Sequence, residues 1–222
     1  MYTPAHFAES RPEVLHALMR AHPLATLVLT DEAGALDAHH LPLLLQVDAQ
    51  GKAWLRGHVA RANPLWQQAQ AGEARGGLAV LAIFQGAQAY ISPNWYASKA
   101  ETHRVVPTWN YAVVHAHTTL RAVDDAAWLR TLLTDLTATH EAAQPQPWQL
   151  SDAPADYLDR MLAAVVGIEL DISQLSGKWK TSQNQAATNR ASVVAGLRQQ
   201  GSAGAAAMAA LVQAVDQAPP VR

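Results

Sequence analysis

The stretch Gly57-His58-Val59-Ala60-Arg61-Ala62-Asn63-Pro64 gathers groups that suit an anion. Asn63 as N-cap and Pro64 at the first helical position predict a short helix over about 64–71. A helix start leaves backbone N–H groups unpaired, with the positive end of the helix dipole behind them. Arg61 stands just before it and can hold two phosphate oxygens at once. His58 adds a donor, and Gly57 lets a ligand approach the backbone closely. The chemistry these types could do is phosphate binding. The competing reading is a surface arginine beside an ordinary helix cap. The stretch is not a Walker loop, and the chain has no GxGxxG, so a Rossmann cofactor site is not indicated.

Three further stretches carry side chains of interest. In "AHHLP" (38–42), His39 and His40 fall on opposite faces of a strand, and Pro42 fits an edge strand or a bulge. Two structurally satisfied histidines are the plainer reading. "NYAVVHAHTTL" places Tyr111, Val113, His115, His117 and Thr119 on one strand face. The HxH spacing could chelate a transition metal, but no third ligand is evident. In "SGKWKTSQNQ" (176–185), Trp179 offers a flat face, and the flanking Lys178 and Lys180 suit an anionic aromatic ligand. A packed Trp between exposed lysines is the alternative. Tyr90, Trp95, Tyr96, Trp109 and Tyr111 cluster in neighbouring segments, as a pocket wall or, preferably, a subunit interface. No nucleophile elbow and no carboxylate pair is present, so hydrolysis is not indicated.

These residues need a frame. The chain has 222 residues, half of them hydrophobic, enough for one sizeable core. The absence of Cys excludes disulfides, thiolate metal sites and a Cys nucleophile. A net charge of −2 supplies no basic footprint for nucleic acid. Only 15% of residues are charged while Trp occurs seven times, a balance that favours an oligomer with an apolar interface. The opening residues lack a signal-peptide pattern, and no apolar run is long enough for a bilayer, so the expected location is cytoplasmic.

Element signals follow. Ser10 and Glu13 form a capping-box pattern for a helix over 10–21. Strands are expected at 24–30, 36–47, 52–59, 77–84, 89–93, 108–123 and 165–177, with a turn at 31–34 and another around Gly86. Residues 94–107 read as a loop. Helices are expected at 125–141, after Ser151 or Asp152, and at 186–200 and 202–217, the pair divided by Gly201. Closely spaced strands with inserted and appended helices predict a mainly β protein, an antiparallel barrel with helical decoration.

Taken together, "MYTPAHF", "GHVARANP", "AYISPNWY", "VPTWNYAVVHAH", "AAVVGIELDI" and "GKWKTSQN" resemble, in order, the PaiB-like proteins, also called FMN-binding negative transcriptional regulators or protease synthase and sporulation regulators. The resemblance covers residues 1 to about 200. It implies an FMN-binding split β-barrel over 1–183 with inserted helices, and a C-terminal helical extension over 184–222. It also implies a homodimer with flavin sites at the subunit interface. By analogy, the His58, Val59, Arg61 and Asn63 segment would hold the FMN phosphate. His39, His40, Leu41 and Pro42 would line the flavin ring, and Lys178 and Trp179 would close the site. The sequence departs from the family at Thr181, where an apolar residue is usual, and at Gln185, where a basic one is. The family role implies repression of transcription through DNA. A flavin-dependent oxidoreductase of a small substrate, or a haem- or metal-binding barrel using His115 and His117, are the alternatives.

Overall fold

A computed structural model describes residues 1–217 apart from 32 and 75. Residues 218–222 of the expected C-terminal extension, and Glu32 within the expected 31–34 turn, lie outside the described residues. In chain order the elements are β1 (Ala8–Glu9), α1 (Pro12–Ala21), β2 (Leu24–Thr30), β3 (Leu36–Pro42), β4 (Leu44–Val47) and β5 (Ala53–Ala60). Then come α2 (Leu65–Glu73), β6 (Leu78–Ile91), α3 (Lys99–Thr102), β7 (Thr108–Val123) and α4 (Ala126–Glu141). The chain ends in α5 (Ala155–Ala163), β8 (Val165–Lys180), α6 (Ala187–Gln200) and α7 (Ala203–Ala214). Contacts divide these elements into two compact units, with β6, β7 and β8 each contributing to both.

The first unit comprises His22–Phe84 and Ala116–Leu175. Its strands run in the hydrogen-bonded order β3-β2-β6-β7-β8-β5-β4. β2 alternates as its sequence demands: Ala25, Leu27 and Leu29 are buried, and the residues between them are not. The predicted single strand at 36–47 is two strands. Pro42 has no N–H for a ladder, and the next N–H, of Leu43, turns away to Pro23 O at 2.9 Å. Leu43 is thus the only residue between β3 and β4, the two ends of the strand order, so this sheet curls back on itself. Leu27, Leu55, Phe84, Leu120, Ile168 and Leu170 fill the core and are fully buried. α4 starts at Asp125, whose carboxylate accepts from Trp128 N at 2.6 Å. The Trp128 ring lies against Gly167 of β8, where a Cβ would come within 2.3 Å of it.

The second unit comprises Met1–Ala21, Gln85–His115 and Ser176–Arg222. The turn expected at Gly86 is absent: β6 is continuous from Leu78 to Ile91. This glycine makes room rather than a turn. A Cβ on it would sit 2.8 Å from Leu18 Cδ1 of α1 and 3.1 Å from Ala112 O of β7. β8 also runs further than predicted, through Trp179 to Lys180, and pairs with β1 at Ala8↔Lys178 and Glu9↔Gly177. Ile91 of β6, Tyr96, Val193 and Leu197 of α6, and Met208 and Val212 of α7 form one buried cluster. Gly201 ends α6 at φ 70°, and the Ser202 hydroxyl caps α7 by accepting from Ala205 N at 3.2 Å. The expected 94–107 loop holds a 3-10 turn (Pro93–Trp95) and the one-turn α3. It is tied to α6, where Asn189 Oδ1 accepts from Ser98 N at 3.0 Å and Ser192 Oγ from Ala97 N at 3.2 Å.

Candidate functional site

Arg61 follows β5 and is held by three parts of its own unit. Its Nε donates to Ala163 O at 2.8 Å and an Nη2 N–H to Val165 O at 3.2 Å. Both terminal nitrogens grip Asp124, Nη1 to Oδ2 at 2.9 Å and Nη2 to Oδ1 at 2.7 Å. The guanidinium holds the Asp124 carboxyl below its ordinary pKa, and the carboxylate raises that of Arg61. A guanidinium has five N–H donors, so one remains, and the charge beside it is already balanced. The Arg61 carbonyl accepts from Trp66 Nε1 at 2.9 Å. The N-cap of α2 is Pro64, one place later than expected, and Asn63 Oδ1 accepts from Leu65 N at 2.9 Å across it. That bond removes the first N–H a phosphate would have met, because Pro64 has none. Nor is Gly57 open. A Cβ there would stand 2.7 Å from Leu43 Cδ2 and 3.2 Å from Pro42 O, so the close approach that glycine permits is made by the chain itself. The stretch is a structural clamp joining β5 to the start of β8 and to Asp124.

The histidines offer more. Leu55, Gly57 and Val59 face the core of their unit, and His58 takes the opposite face of β5. Its Nδ1 is buried without a hydrogen-bond partner among the described residues, as are His39 Nε2 and Arg56 Nε. Arg56 nevertheless pairs with Asp135 of α4 through Nη2 at 2.6 Å. His39 and His40 lie on opposite faces of β3, as expected: His39 pairs in register with buried Leu27, His40 with Thr26. His40 Nδ1 and Thr26 Oγ1 share a hydrogen bond at 3.1 Å. His39 Nε2 is 3.3 Å from Asp37 Oδ2, near enough for attraction but not aligned as a hydrogen bond. Leu41 is half-buried on the His39 face, Pro42 is exposed, and Val59 is buried.

Burial holds the His58 imidazole below its ordinary pKa of about 6.5. The folded chain therefore binds fewer protons than the unfolded chain as pH falls through that value, and stability falls with it. Desolvation lowers His16 in the same sense, helped by Arg20, so two residues contribute. Urea midpoints measured from pH 7.5 to 5 are expected to decrease, and the decrease to be shallower in His58→Gln. An unchanged slope in that variant would refute the assignment.

In the other unit, Lys178 Nζ donates to Tyr2 O at 3.1 Å and lies 5.4 Å from the Tyr111 ring centroid. Trp179 is half-buried beside Gly177. Past β8, Ser182 adopts φ 65° and its buried hydroxyl accepts from Asn110 Nδ2 at 2.9 Å. Asp124, Asn110 and Ser182 were not singled out by sequence. Each works through a partner more than sixty positions away, which spacing cannot reveal.

The mainly β fold, with its described strands in one sheet and a C-terminal helical pair, is that of a flavin-binding split barrel. The chain belongs to the family described as "Putative FMN-binding domain", which matches residues 1–174. It is 29% identical to the protease synthase and sporulation protein PAI 2 of Bacillus subtilis, over 96% of this chain and 97% of that protein. Among solved structures, the flavocytochrome Anf3 of Azotobacter vinelandii superposes with a TM-score of 0.57 at 14% identity, over 78% of this chain and 69% of that one. An FAD- and haem-binding protein of Mycobacterium smegmatis gives 0.53 at 17% identity, over 78% and 73%. The cofactor that goes with the family is FMN. The buried His58 Nδ1, without a hydrogen-bond partner among the described residues, fits a ligand with polar ring atoms. Arg61 fits less well, because Asp124 already holds it. No group of three or more metal-ligating side chains is assembled among the described residues, and none of their helices is long and apolar enough to cross a membrane.

Proposed function

We propose that the chain is an FMN-binding negative regulator of transcription that works in the cytoplasm as a homodimer, with flavin sites at the subunit interface. The observation that carries this reading is the family match over residues 1–174, together with near full-length similarity to the B. subtilis sporulation protein. His39, His40, Leu41 and Pro42 line the isoalloxazine ring. His58 and Val59 border it, Arg61 and Asn63 fix the adjoining turn, and Lys178 and Trp179 complete the site. Bound FMN supplies one- or two-electron redox chemistry; the protein supplies orientation and electrostatics.

The helical pair is a poor reader of DNA. Its core side is committed to Ile91 and Tyr96. Arg190 is paired with Asp216, and Arg198 donates to Gln213 Oε1 at 2.8 Å. A regulator built this way contacts DNA with another surface or acts through a protein.

The purified full-length chain should retain flavin absorption bands after mixing with FMN and gel filtration, and should elute as a dimer. A colourless product would overturn the cofactor reading. Absence of salt-sensitive binding in a gel shift with promoter DNA would overturn direct repression while leaving flavin binding intact.

A further inference from the structure

Two lysines at the end of β8 carry positive charge that no described carboxylate balances. Lys178 and Lys180 are two positions apart and so share a strand face. Gly177 and Trp179 take the other face, where Leu15 of α1 covers Gly177. Lys178 gives one N–H to Tyr2 O, and its ammonium stands 5.9 and 5.4 Å from the ring centroids of Tyr2 and Tyr111. Lys180 donates to Thr108 Oγ1 and to Trp109 O. An ammonium has three N–H donors. Two therefore remain on Lys178 and one on Lys180. Neither lysine pairs with a carboxylate among the described residues, whereas Arg61, Arg56 and Arg190 all do. Among the described residues, carbonyls and a hydroxyl hold these two ammonium groups, with two tyrosine faces beside Lys178. Cation–π contact and hydrogen bonds fix their positions without cancelling their charge.

Alternation on β7 puts Trp109 on the same face as Tyr111. Trp109 packs edge-to-face with Tyr90 of β6 at 6.1 Å, and both rings remain nearly half exposed, at 49% and 45%. Accessible rings beside two unneutralised ammonium groups are complementary to a planar aromatic molecule that carries an anion.

We propose that Lys178 and Lys180 hold the phosphate of the flavin nucleotide, and that Arg61 is not a phosphate ligand. This rests on the FMN reading above and assigns the nucleotide's anion contact. It departs from the sequence expectation, which gave the phosphate to the Arg61 turn.

The test compares FMN with riboflavin, which lacks the phosphate, on the full-length chain, followed by flavin fluorescence. The wild-type chain is expected to bind FMN at least tenfold more tightly than riboflavin. Lys178→Met with Lys180→Met keeps an apolar stem of similar length at both positions, the first against the tyrosine rings. That variant should lose at least tenfold in FMN affinity, keep its riboflavin affinity within about twofold, and keep its circular dichroism. Millimolar inorganic phosphate should weaken FMN binding to wild type and leave riboflavin unaffected. FMN preference that survives the double substitution overturns the proposal alone. So does preference lost in Arg61→Gln with circular dichroism intact. Inorganic phosphate binding as tightly as FMN overturns the nucleotide as the occupant. A chain that takes neither flavin overturns the FMN reading itself, and this assignment with it.

Discussion

Phe84→Ala is expected to destabilise the protein by about 4 kcal/mol, since truncating a buried Phe typically costs ~3–5 kcal/mol. Phe84 is among the largest fully buried side chains, at 0% exposure. Its removal loses both the transfer energy of the ring and the contacts that lined it. Typical domain stability is only about 5–15 kcal/mol, so much of the margin would disappear. The measurement is the urea midpoint at constant slope. A loss under about 1 kcal/mol would show that the ring does not sit in a packed interior. Bound flavin should be released at correspondingly lower urea, because unfolded chains do not hold the cofactor.

Gly167→Ala is the second large effect, and it arises from crowding. An added Cβ would lie 2.3 and 2.7 Å from Trp128 Cζ3 and Cε3, and 2.8 Å from Val123 O. The ring could swing aside, but the carbonyl belongs to β7 and cannot. Overpacking usually costs ~1–3 kcal/mol, and a clash with backbone places this substitution near the upper end, about 3 kcal/mol. Trp128→Leu in the same chain should recover part of the loss, because neighbouring substitutions do not add independently. Strict additivity of the two changes would mean that the ring is not what crowds the glycine. Gly34→Ala is the useful contrast. It meets nothing within 4 Å, so only its φ of +84° resists a side chain, at a cost of about 1 kcal/mol.

Local signals served the sequence reading well where the physics was local. β2 and β7 begin and end at the expected residues, because alternation and turn residues mark both ends. Gly201 stops α6 for the reason its type suggests. Errors came where a residue serves something remote. Gly86 looked like a turn because glycine usually marks one, yet its purpose is to admit Leu18. The expected strand stops at 177, yet strand alternation continues through Lys178, Trp179 and Lys180, where β1 pairs with it. Among the candidate site residues, the split of His39 and His40 between two faces was legible from strand period alone. The fate of Arg61 was not, because Asp124 lies 63 positions away and spacing gives no sign of it.

The pairing of β5 with β8 carries a cost during synthesis. Its register joins Ala60 to Val165 and Trp54 to Asp171, so more than a hundred residues separate the partners. At common translation rates, β5 leaves the ribosome on the order of ten seconds before β8 does. The neighbouring hairpin with β4 can close in microseconds, but the other edge of β5 then waits, apolar and unpaired, in a crowded cell. Slow codons or a chaperone acting between these two strands would govern how much of the newly made chain escapes aggregation.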